Sequence, residues 1–280
     1  MRLCAPVYDY STPEEWIARH RENGYGAAYW PLPDGAPEEQ IQAYASAAKE
    51  AGLVIAEIGI WNNMLDPDPE KKEANIQYAI RRLALAERLG VTCCVNTSGA
   101  RSEVWDGPHP DNLTEETFRE LVAIVRRIID AVNPKIASFT LEPRPWMYPT
   151  TADDLQRLID EVDRPQFKVH VDMCNIINSY EKTLKTGELT RDFFARFKDR
   201  IVCIHAKDTL VSPHHLTLHI DEAIPGDGVF DYDALLTEAA KLDPDIPFVS
   251  EHLSRKEEYE ESTSFMKKKA AELGLAFVTI

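Results

Sequence analysis

Short apolar runs alternate with stretches of helical periodicity along the whole chain, and this alternation limits the possible folds more than any other feature. Runs such as Ile201-Val202-Cys203-Ile204 are apolar at consecutive positions, which is typical of parallel strands buried on both faces. Strands that alternate with helices indicate β-α-β units. The predicted strands are residues 3–7, 26–30, 53–60, 91–97, 136–141, 167–171, 201–206 and 247–250, and the predicted helices are residues 13–23, 37–51, 70–89, 115–132, 151–162, 182–198, 232–242 and 256–273.

Eight such units in 280 residues predict an α/β fold, a (β/α)8 TIM barrel that forms a single domain over residues 1–280. A doubly wound open sheet is the alternative. That fold usually has a glycine-rich phosphate loop after its first strand, but Tyr8-Asp9-Tyr10-Ser11 follow the first predicted strand here without a glycine. The longest irregular stretch, residues 208–230, follows the seventh strand, and a long loop inside a compact domain is usually functional.

Charge and cysteine content exclude several classes of protein. The chain has 47 acidic and 31 basic side chains and a formal net charge of −16, which repels phosphate backbones and anionic lipid. We therefore expect neither nucleic acid nor a membrane as a partner. The apolar runs are too short for a membrane span or a signal peptide, so a cytoplasmic location is predicted. Five cysteines without a CxxC motif predict neither a disulfide framework nor a thiolate zinc site.

Polar residues follow four consecutive predicted strands, at the end of the barrel where chemistry takes place in this architecture. They are Glu142, Asp172, His205 and Glu251. Three converging carboxylates would repel one another, and a divalent cation removes that repulsion. Mixed oxygen and nitrogen ligation suits Mn²⁺, Mg²⁺, Co²⁺ or Zn²⁺. The alternative is that each residue forms a separate salt bridge or caps the next helix.

The pattern resembles the xylose isomerase-like superfamily of sugar isomerases and epimerases, including inosose isomerase-like and ketose 3-epimerase-like members, over essentially the whole chain. Residues 201–209 (I-V-C-I-H-A-K-D-T) are similar to its seventh-strand motif, and residues 224–232 (I-P-G-D-G-V-F-D-Y) to the loop that leads into the seventh helix. The resemblance implies one divalent ion, with Mn²⁺ the first choice, held by Glu142, Asp172, His205 and Glu251. It also implies a small sugar or cyclitol substrate and a homo-oligomer.

The resemblance further implies that Glu142 and Glu251 flank the substrate as acid and base. One carboxylate removes a proton next to a carbonyl, the other returns a proton, and the metal stabilises the cis-enediolate between these steps. Return of a proton to the same carbon gives epimerisation, and return to the neighbouring carbon gives aldose–ketose isomerisation. Glu57, near the end of the third strand, is another acid/base candidate, or it pairs with a neighbouring cation.

Three other functions remain open on the same site. A lyase, of the inosose dehydratase-like or 3-keto-C-glycoside deglycosidase-like kind, would expel a leaving group from the same enolate. A sugar-binding barrel without catalysis is the alternative from another class, although binding alone does not require bases on both faces. The apurinic endonuclease branch binds DNA and uses three metals and many more histidines, which the charge of −16 and the few histidines disfavour.

Several residues depart from the ketose 3-epimerase-like pattern, which puts a free-ketose substrate in doubt. Asn175 stands in place of a histidine, Val211 in place of an arginine and Tyr148 in place of a glutamate. Aromatic residues after strands can stack on sugar faces or simply pack at the barrel rim. We expect His170 and His252 to face outward, towards the helices. The candidate substrate-binding residues are Tyr8, Trp30, Trp61, Trp146, Asn175, Lys207, His215 and His219.

Overall fold

Eleven strands and nine helices follow one another in the computed structural model, which describes residues 1–280. The strands are β1 (Arg2–Cys4), β2 (Ala27–Ala28), β3 (Val54–Ile55), β4 (Ile58–Gly59), β5 (Cys93–Asn96), β6 (Ser138–Leu141), β7 (Phe167–Asp172), β8 (Ile201–Ala206), β9 (Asp208–Val211), β10 (Ile220–Ala223) and β11 (Pro247–Ser250). The helices are α1 (Pro13–Glu22), α2 (Glu38–Ala51), α3 (Pro69–Leu89), α4 (Glu115–Val132), α5 (Ala152–Val162), α6 (Tyr180–Thr183), α7 (Thr186–Phe197), α8 (Tyr232–Ala239) and α9 (Lys256–Glu272).

Short signals in the sequence explain where several helices begin and end. The Thr12 hydroxyl accepts a hydrogen bond from the Glu15 amide at 3.2 Å, and the Glu15 carboxylate accepts one from the Thr12 amide at 3.3 Å, which completes a capping box at the start of α1. At the start of α4 the Thr114 hydroxyl accepts a hydrogen bond from the Thr117 amide at 3.3 Å. Gly52 and Gly90 end α2 and α3 with φ near +70°, a conformation that costs glycine little.

Residues 57–171 and 200–202 form one compact unit, which contains β4, β5, β6, most of β7, α3, α4 and α5. Its strands pair in parallel and in chain order. The apolar face of α4 is buried, including Phe118, Leu121 and Val125, because apolar residues recur there every three to four positions.

Residues 1–56, 172–199 and 203–280 form the other compact unit, with β1 to β3, most of β8, β9 to β11 and the remaining helices. Here β1 pairs in parallel with β11, and β11 with β8, which sets Val249 opposite His205. An antiparallel hairpin of β9 and β10 stands apart from these strands and pairs Val211 with Ile220.

The strand hydrogen bonds follow the order β1-β11-β8-β7-β6-β5-β4 in a seven-stranded sheet. β2 pairs with β3, and the Gly26 amide donates to the Leu3 carbonyl at 3.1 Å, which brings β2 beside β1. β3 and β4 are two segments of the third predicted strand. The eight predicted strand positions are thus all occupied, and the predicted α/β fold, a single-domain TIM barrel, is confirmed. The helices lack the continuous apolar stretch that a membrane-spanning segment requires.

The structure departs from several predicted segments. The predicted strand 53–60 is interrupted at Ala56 and Glu57, and the predicted helix 182–198 is divided into α6 and α7 by a non-helical Lys185. The stretch 208–230, predicted as irregular, contains the β9–β10 hairpin. Paired residues of β9 and β10 lie nine or more positions apart in the sequence. The apolar pattern within either segment therefore does not reveal that the two segments pair.

His20 lies on the buried face of α1 and is almost fully buried. Its Nδ1 lies 2.8 Å from the Trp16 carbonyl oxygen. The His20 and Trp16 rings meet edge to face, with their centroids 5.0 Å apart. Burial disfavours the charged imidazolium and lowers the pKa of His20 below 6.5, although the hydrogen bond to Trp16 opposes this.

Stability should therefore fall as the pH drops below 6.5. In that range the unfolded chain binds a proton at His20 and the folded chain does not, so the free energy of unfolding decreases by up to about 1.4 kcal/mol per pH unit from this group. Urea unfolding of the wild type and of His20→Phe at pH 7.5 and 5.5 measures the difference. His109→Gln, at a more exposed histidine, is the control. An equal pH dependence in wild type and His20→Phe would contradict this expectation.

Candidate metal centre

The four polar residues predicted at the strand ends are brought together. Glu142 directly follows β6, Asp172 ends β7, His205 lies near the end of β8, and Glu251 directly follows β11. One ligand atom from each lies within 4.8 Å of the ligand atoms of the other three, and all four residues are buried. The sheet order explains this, because β11, β8, β7 and β6 are neighbours and their carboxyl ends meet at one edge.

Three buried carboxylates and one imidazole form a donor set that suits a divalent metal ion. Buried carboxylates are costly without a compensating charge, and a divalent cation supplies that charge together with direct ligation. His205 Nδ1 lies 2.8 Å from Glu251 Oε1, so these two donor atoms are direct neighbours. The donor types and their spacing thus fit a divalent ion and suggest a metal site here.

Arg144 was not predicted as a site residue, and the structure places it against Glu142. Its Nη2 lies 2.9 Å from Glu142 Oε2, and Glu142 is fully buried. A guanidinium beside a buried carboxylate offsets part of the cost of burying it. Arg144 lies two residues after Glu142 in Glu-Pro-Arg-Pro, which is the only sequence signal that could have indicated it.

Lys207 also lies inside the cluster. Its Nζ is 2.8 Å from Asp172 Oδ2 and 2.6 Å from Glu251 Oε1. Burial alone would raise the pKa of Glu251, but the charges of His205 and Lys207 outweigh burial and hold the pKa well below its usual range. Glu251 is therefore an ionised carboxylate at neutral pH.

Asn175, predicted to bind substrate, contacts Asp172. Its side-chain amide donates to Asp172 Oδ2 at 2.7 Å, and its backbone amide donates to Asp172 Oδ1 at 3.1 Å. Both oxygens of the aspartate thus have a donor from one residue three positions later. This contact orients the Asp172 carboxylate at the end of β7.

A second buried group lies next to the first and shares His205. It consists of Glu57, His170, Cys203 and His205, whose ligand atoms also lie within 4.8 Å of one another. His170 Nε2 is 3.2 Å from Glu57 Oε2, so the expectation that His170 faces outward was wrong. The reason is strand alternation: His170 lies two residues before Asp172 and therefore points to the same face of β7. All five cysteines are free and buried.

His252 and Glu222 border Lys207. His252 Nδ1 lies 3.2 Å from Lys207 Nζ and 3.1 Å from Glu222 Oε1, so the expectation that His252 points to the helices was also wrong. Its hydrogen bond to Glu222 raises the pKa of His252 despite partial burial. Glu222 comes from β10, whose hairpin was not predicted, so neither contact could be read from the sequence.

Asp208 holds the loop that follows the hairpin. Its carboxylate accepts hydrogen bonds from the amides of Thr209, Gly226, Gly228 and Phe230 at 2.8 to 3.2 Å. A Cβ at Gly228 would lie 2.1 Å from Asp208 Oδ1, which explains why the motif needs glycine there. Burial nevertheless raises the pKa of Asp208.

The remaining candidate substrate-binding residues lie in several places. Trp30 packs against the hydrophobic cluster around Trp16 and Tyr44. Tyr8 lines a cavity of about 310 Å³ together with Tyr25, Lys256 and Tyr259. Trp61 and Trp146 are partly exposed, and the Trp146 indole donates to the Asp106 carbonyl at 2.7 Å. The rings of His215 and His219 meet edge to face, with their centroids 4.5 Å apart, in the exposed connection of the β9–β10 hairpin.

Comparison with known proteins supports the fold. A profile of the xylose isomerase-like TIM barrel family matches residues 18–269. No curated protein matches the chain. Solved structures resemble it with a low level of identity.

Three of these structures have different chemistries in their names. D-psicose 3-epimerase from Clostridium cellulolyticum superposes with a TM-score of 0.68 at 14% identity and covers 100% of both chains. The probable 3-DHS dehydratase AsbF of Bacillus anthracis has a TM-score of 0.69 at 15% identity and covers 94% of this chain and 97% of its own. Endonuclease IV from Thermus thermophilus has a TM-score of 0.70 at 14% identity, and the match covers 97% of this chain and 100% of the endonuclease chain. At these identities the likeness extends to the fold alone.

Proposed function

The chain belongs to the family of xylose isomerase-like TIM barrels, and from this we propose that it is a metal-dependent isomerase or epimerase of a sugar or a cyclitol. The observation that carries the proposal is the buried group at the strand ends, in which two glutamates accompany an aspartate and a histidine within 4.8 Å. A protein that only binds a sugar would need metal ligands, but it would not need two carboxylates that can exchange protons with the bound sugar.

The four residues of this group, Glu142, Asp172, His205 and Glu251, are the proposed metal ligands. Mn²⁺ is the first choice, with Mg²⁺, Co²⁺ and Zn²⁺ as alternatives, because all accept carboxylate and imidazole ligands. When bound, the ion supplies Lewis acidity that polarises the substrate carbonyl and stabilises negative charge on its oxygen. Asn175 orients Asp172 for this ligation through the two hydrogen bonds described above.

Glu142 and Glu251 are the proposed acid and base. The low pKa of Glu251 keeps it in the carboxylate form, which accepts a proton from the carbon next to the carbonyl. Glu142, whose Oε2 lies 2.9 Å from Arg144 Nη2, is the proposed acid, and it returns a proton to the substrate from its protonated form. Proton return to the same carbon inverts its configuration, and return to the neighbouring carbon moves the carbonyl.

Substrate contacts remain proposals for the residues predicted from the sequence. Lys207 is the candidate with most support, because its ammonium group lies beside both Asp172 and Glu251, where a substrate oxygen would lie. Trp61 and Trp146 expose aromatic surface on which a sugar could stack. The net charge of −16 disfavours a nucleic acid as substrate, although the endonuclease shares the fold.

Incubation in deuterated water tests the reaction class. With metal-loaded enzyme and a panel of ketoses, inososes and 3-keto-glycosides, we expect deuterium to enter a carbon next to the carbonyl without loss of any group from the substrate. Mass spectrometry and NMR measure this exchange. A chelator should abolish the exchange and added Mn²⁺ should restore it, with elemental analysis reporting the metal content.

The other outcomes identify the other functions. Loss of water or of an aglycone from the same substrates identifies a lyase. Sugar binding without exchange at any carbon identifies a binding protein. Exchange at an unchanged rate after complete removal of metal would rule out the proposed mechanism.

A further inference from the structure

The side chain of Lys207 is buried between two of the proposed metal ligands. Its Nζ lies 2.8 Å from Asp172 Oδ2 and 2.6 Å from Glu251 Oε1, and the side chain is only 2% exposed. Both carboxylates are themselves buried. A cation of the chain therefore already occupies part of the space around the oxygens that a divalent ion would use.

The backbone and a second pair of side chains position this lysine. The Tyr232 hydroxyl donates to the Lys207 carbonyl at 3.0 Å, directly after β8. Glu222 Oε1 lies 3.8 Å from Lys207 Nζ, and His252 Nδ1 lies 3.2 Å from Lys207 Nζ. Glu222 is about half exposed, so a third negative group, open to solvent, stands next to the ammonium.

The electrostatics of this arrangement work in opposite directions with and without a metal ion. Without an ion, the ammonium offsets the cost of burying Asp172 and Glu251. With an ion bound to the same two carboxylates, the ammonium and the ion repel each other over a few ångströms in a poorly solvated space. A shift of Nζ towards Glu222, 3.8 Å away, would reduce this repulsion.

We propose that Lys207 is a built-in counter-cation that competes with the divalent ion for Asp172 and Glu251 and thereby sets the affinity of the site for metal. The inference rests on the proposed metal site. It assigns to Lys207 a role that is independent of any substrate: the folded chain is stabilised without metal, and the ion binds only by displacing the ammonium towards Glu222.

Lys207→Met tests this competition, because methionine has a similar length and no charge. Titration calorimetry with Mn²⁺ alone, without substrate, should show that the variant binds at least tenfold more tightly than the wild type. In a chelator the variant should have a lower Tm than the wild type, since two carboxylates have lost their counter-ion. Saturating Mn²⁺ should then raise the Tm of the variant more than that of the wild type.

Two variants serve as controls. Lys269→Met removes the same charge from α9, where Lys269 pairs with Asp233 at 2.8 Å, and it should leave Mn²⁺ affinity unchanged within about twofold. Lys207→Arg keeps the charge and should bind Mn²⁺ no more tightly than the wild type.

Each outcome separates this inference from the proposed function. If the wild type binds Mn²⁺ and Lys207→Met binds it equally or more weakly, the competition is wrong and the metal site stands. If only Lys207→Met binds Mn²⁺, the proposed competition is supported, and the proposed metal-dependent function of the wild type is wrong. If neither protein binds it, both ideas are wrong. If Lys207→Met and Lys207→Gln both fail to fold even with saturating Mn²⁺, the ion does not replace the ammonium and the inference is overturned.

Discussion

Replacing Glu251 by glutamine is expected to lower turnover by a factor on the order of 10²–10⁴, the usual contribution of a positioned acid or base. Glutamine keeps the shape and one oxygen of the side chain, but it cannot accept a proton at the reaction pH. Glu142→Gln should have an effect of similar size, because the proton that one glutamate removes is replaced by a proton that the other glutamate supplies. Steady-state kinetics, with the substrate found by deuterium exchange, measures both effects.

Metal content must be measured beside the rates, because both residues are also proposed ligands. A variant that retains metal but loses turnover has lost proton transfer, whereas a variant that loses both has lost the site. Glu257→Gln, in the exposed first turn of α9, is the matched control and should keep full activity. Turnover of Glu251→Gln within tenfold of the wild type, with metal bound, would show that Glu251 is not an acid or base.

Replacing Asp208 by alanine is expected to lower the free energy of unfolding by about 3–5 kcal/mol, because it leaves four backbone amides without their acceptor. Water can reach some of these amides, which keeps the loss below the sum of four separate hydrogen bonds. The same change frees the loop around Gly226 and Gly228. Urea unfolding followed by circular dichroism measures the effect.

Two variants define the source of that effect. Asp208→Asn keeps one accepting oxygen and should cost roughly half as much. Asp227→Ala removes a carboxylate from the exposed part of the same loop and should change stability by less than about 0.5 kcal/mol. A loss for Asp208→Ala no larger than that for Asp227→Ala would mean that the four hydrogen bonds do not stabilise the fold.

The parts of the fold that could be predicted depend on local signals. Caps such as Thr12 and Thr114, and terminal glycines such as Gly52 and Gly90, act within a single turn, so their positions in the sequence locate the helix ends. The four strand-end residues could be grouped because parallel strands in a barrel share one carboxyl edge. The oligomeric state and a cytoplasmic location remain predictions.

The contacts that could not be predicted are formed between distant segments. Glu222 meets His252 and Lys207 only because an antiparallel hairpin returns the chain towards the end of β11. His170 faces Glu57 across 113 positions of sequence, and its inward direction depends on the register of β7. Apolar patterns identify the strand in such cases, but they do not say which polar neighbour another strand presents.

The order of the residues alone determined that eight strands alternate with helices, and that Glu142, Asp172, His205 and Glu251 follow four of them, because hydrophobic periodicity and strand-end position are properties of short segments. Only the tertiary structure decided that Lys207 and Arg144 compensate the charges of those carboxylates. Side-chain direction and distance between segments follow from how the strands pair, and the Coulomb energy that decides the balance of charge depends on those distances.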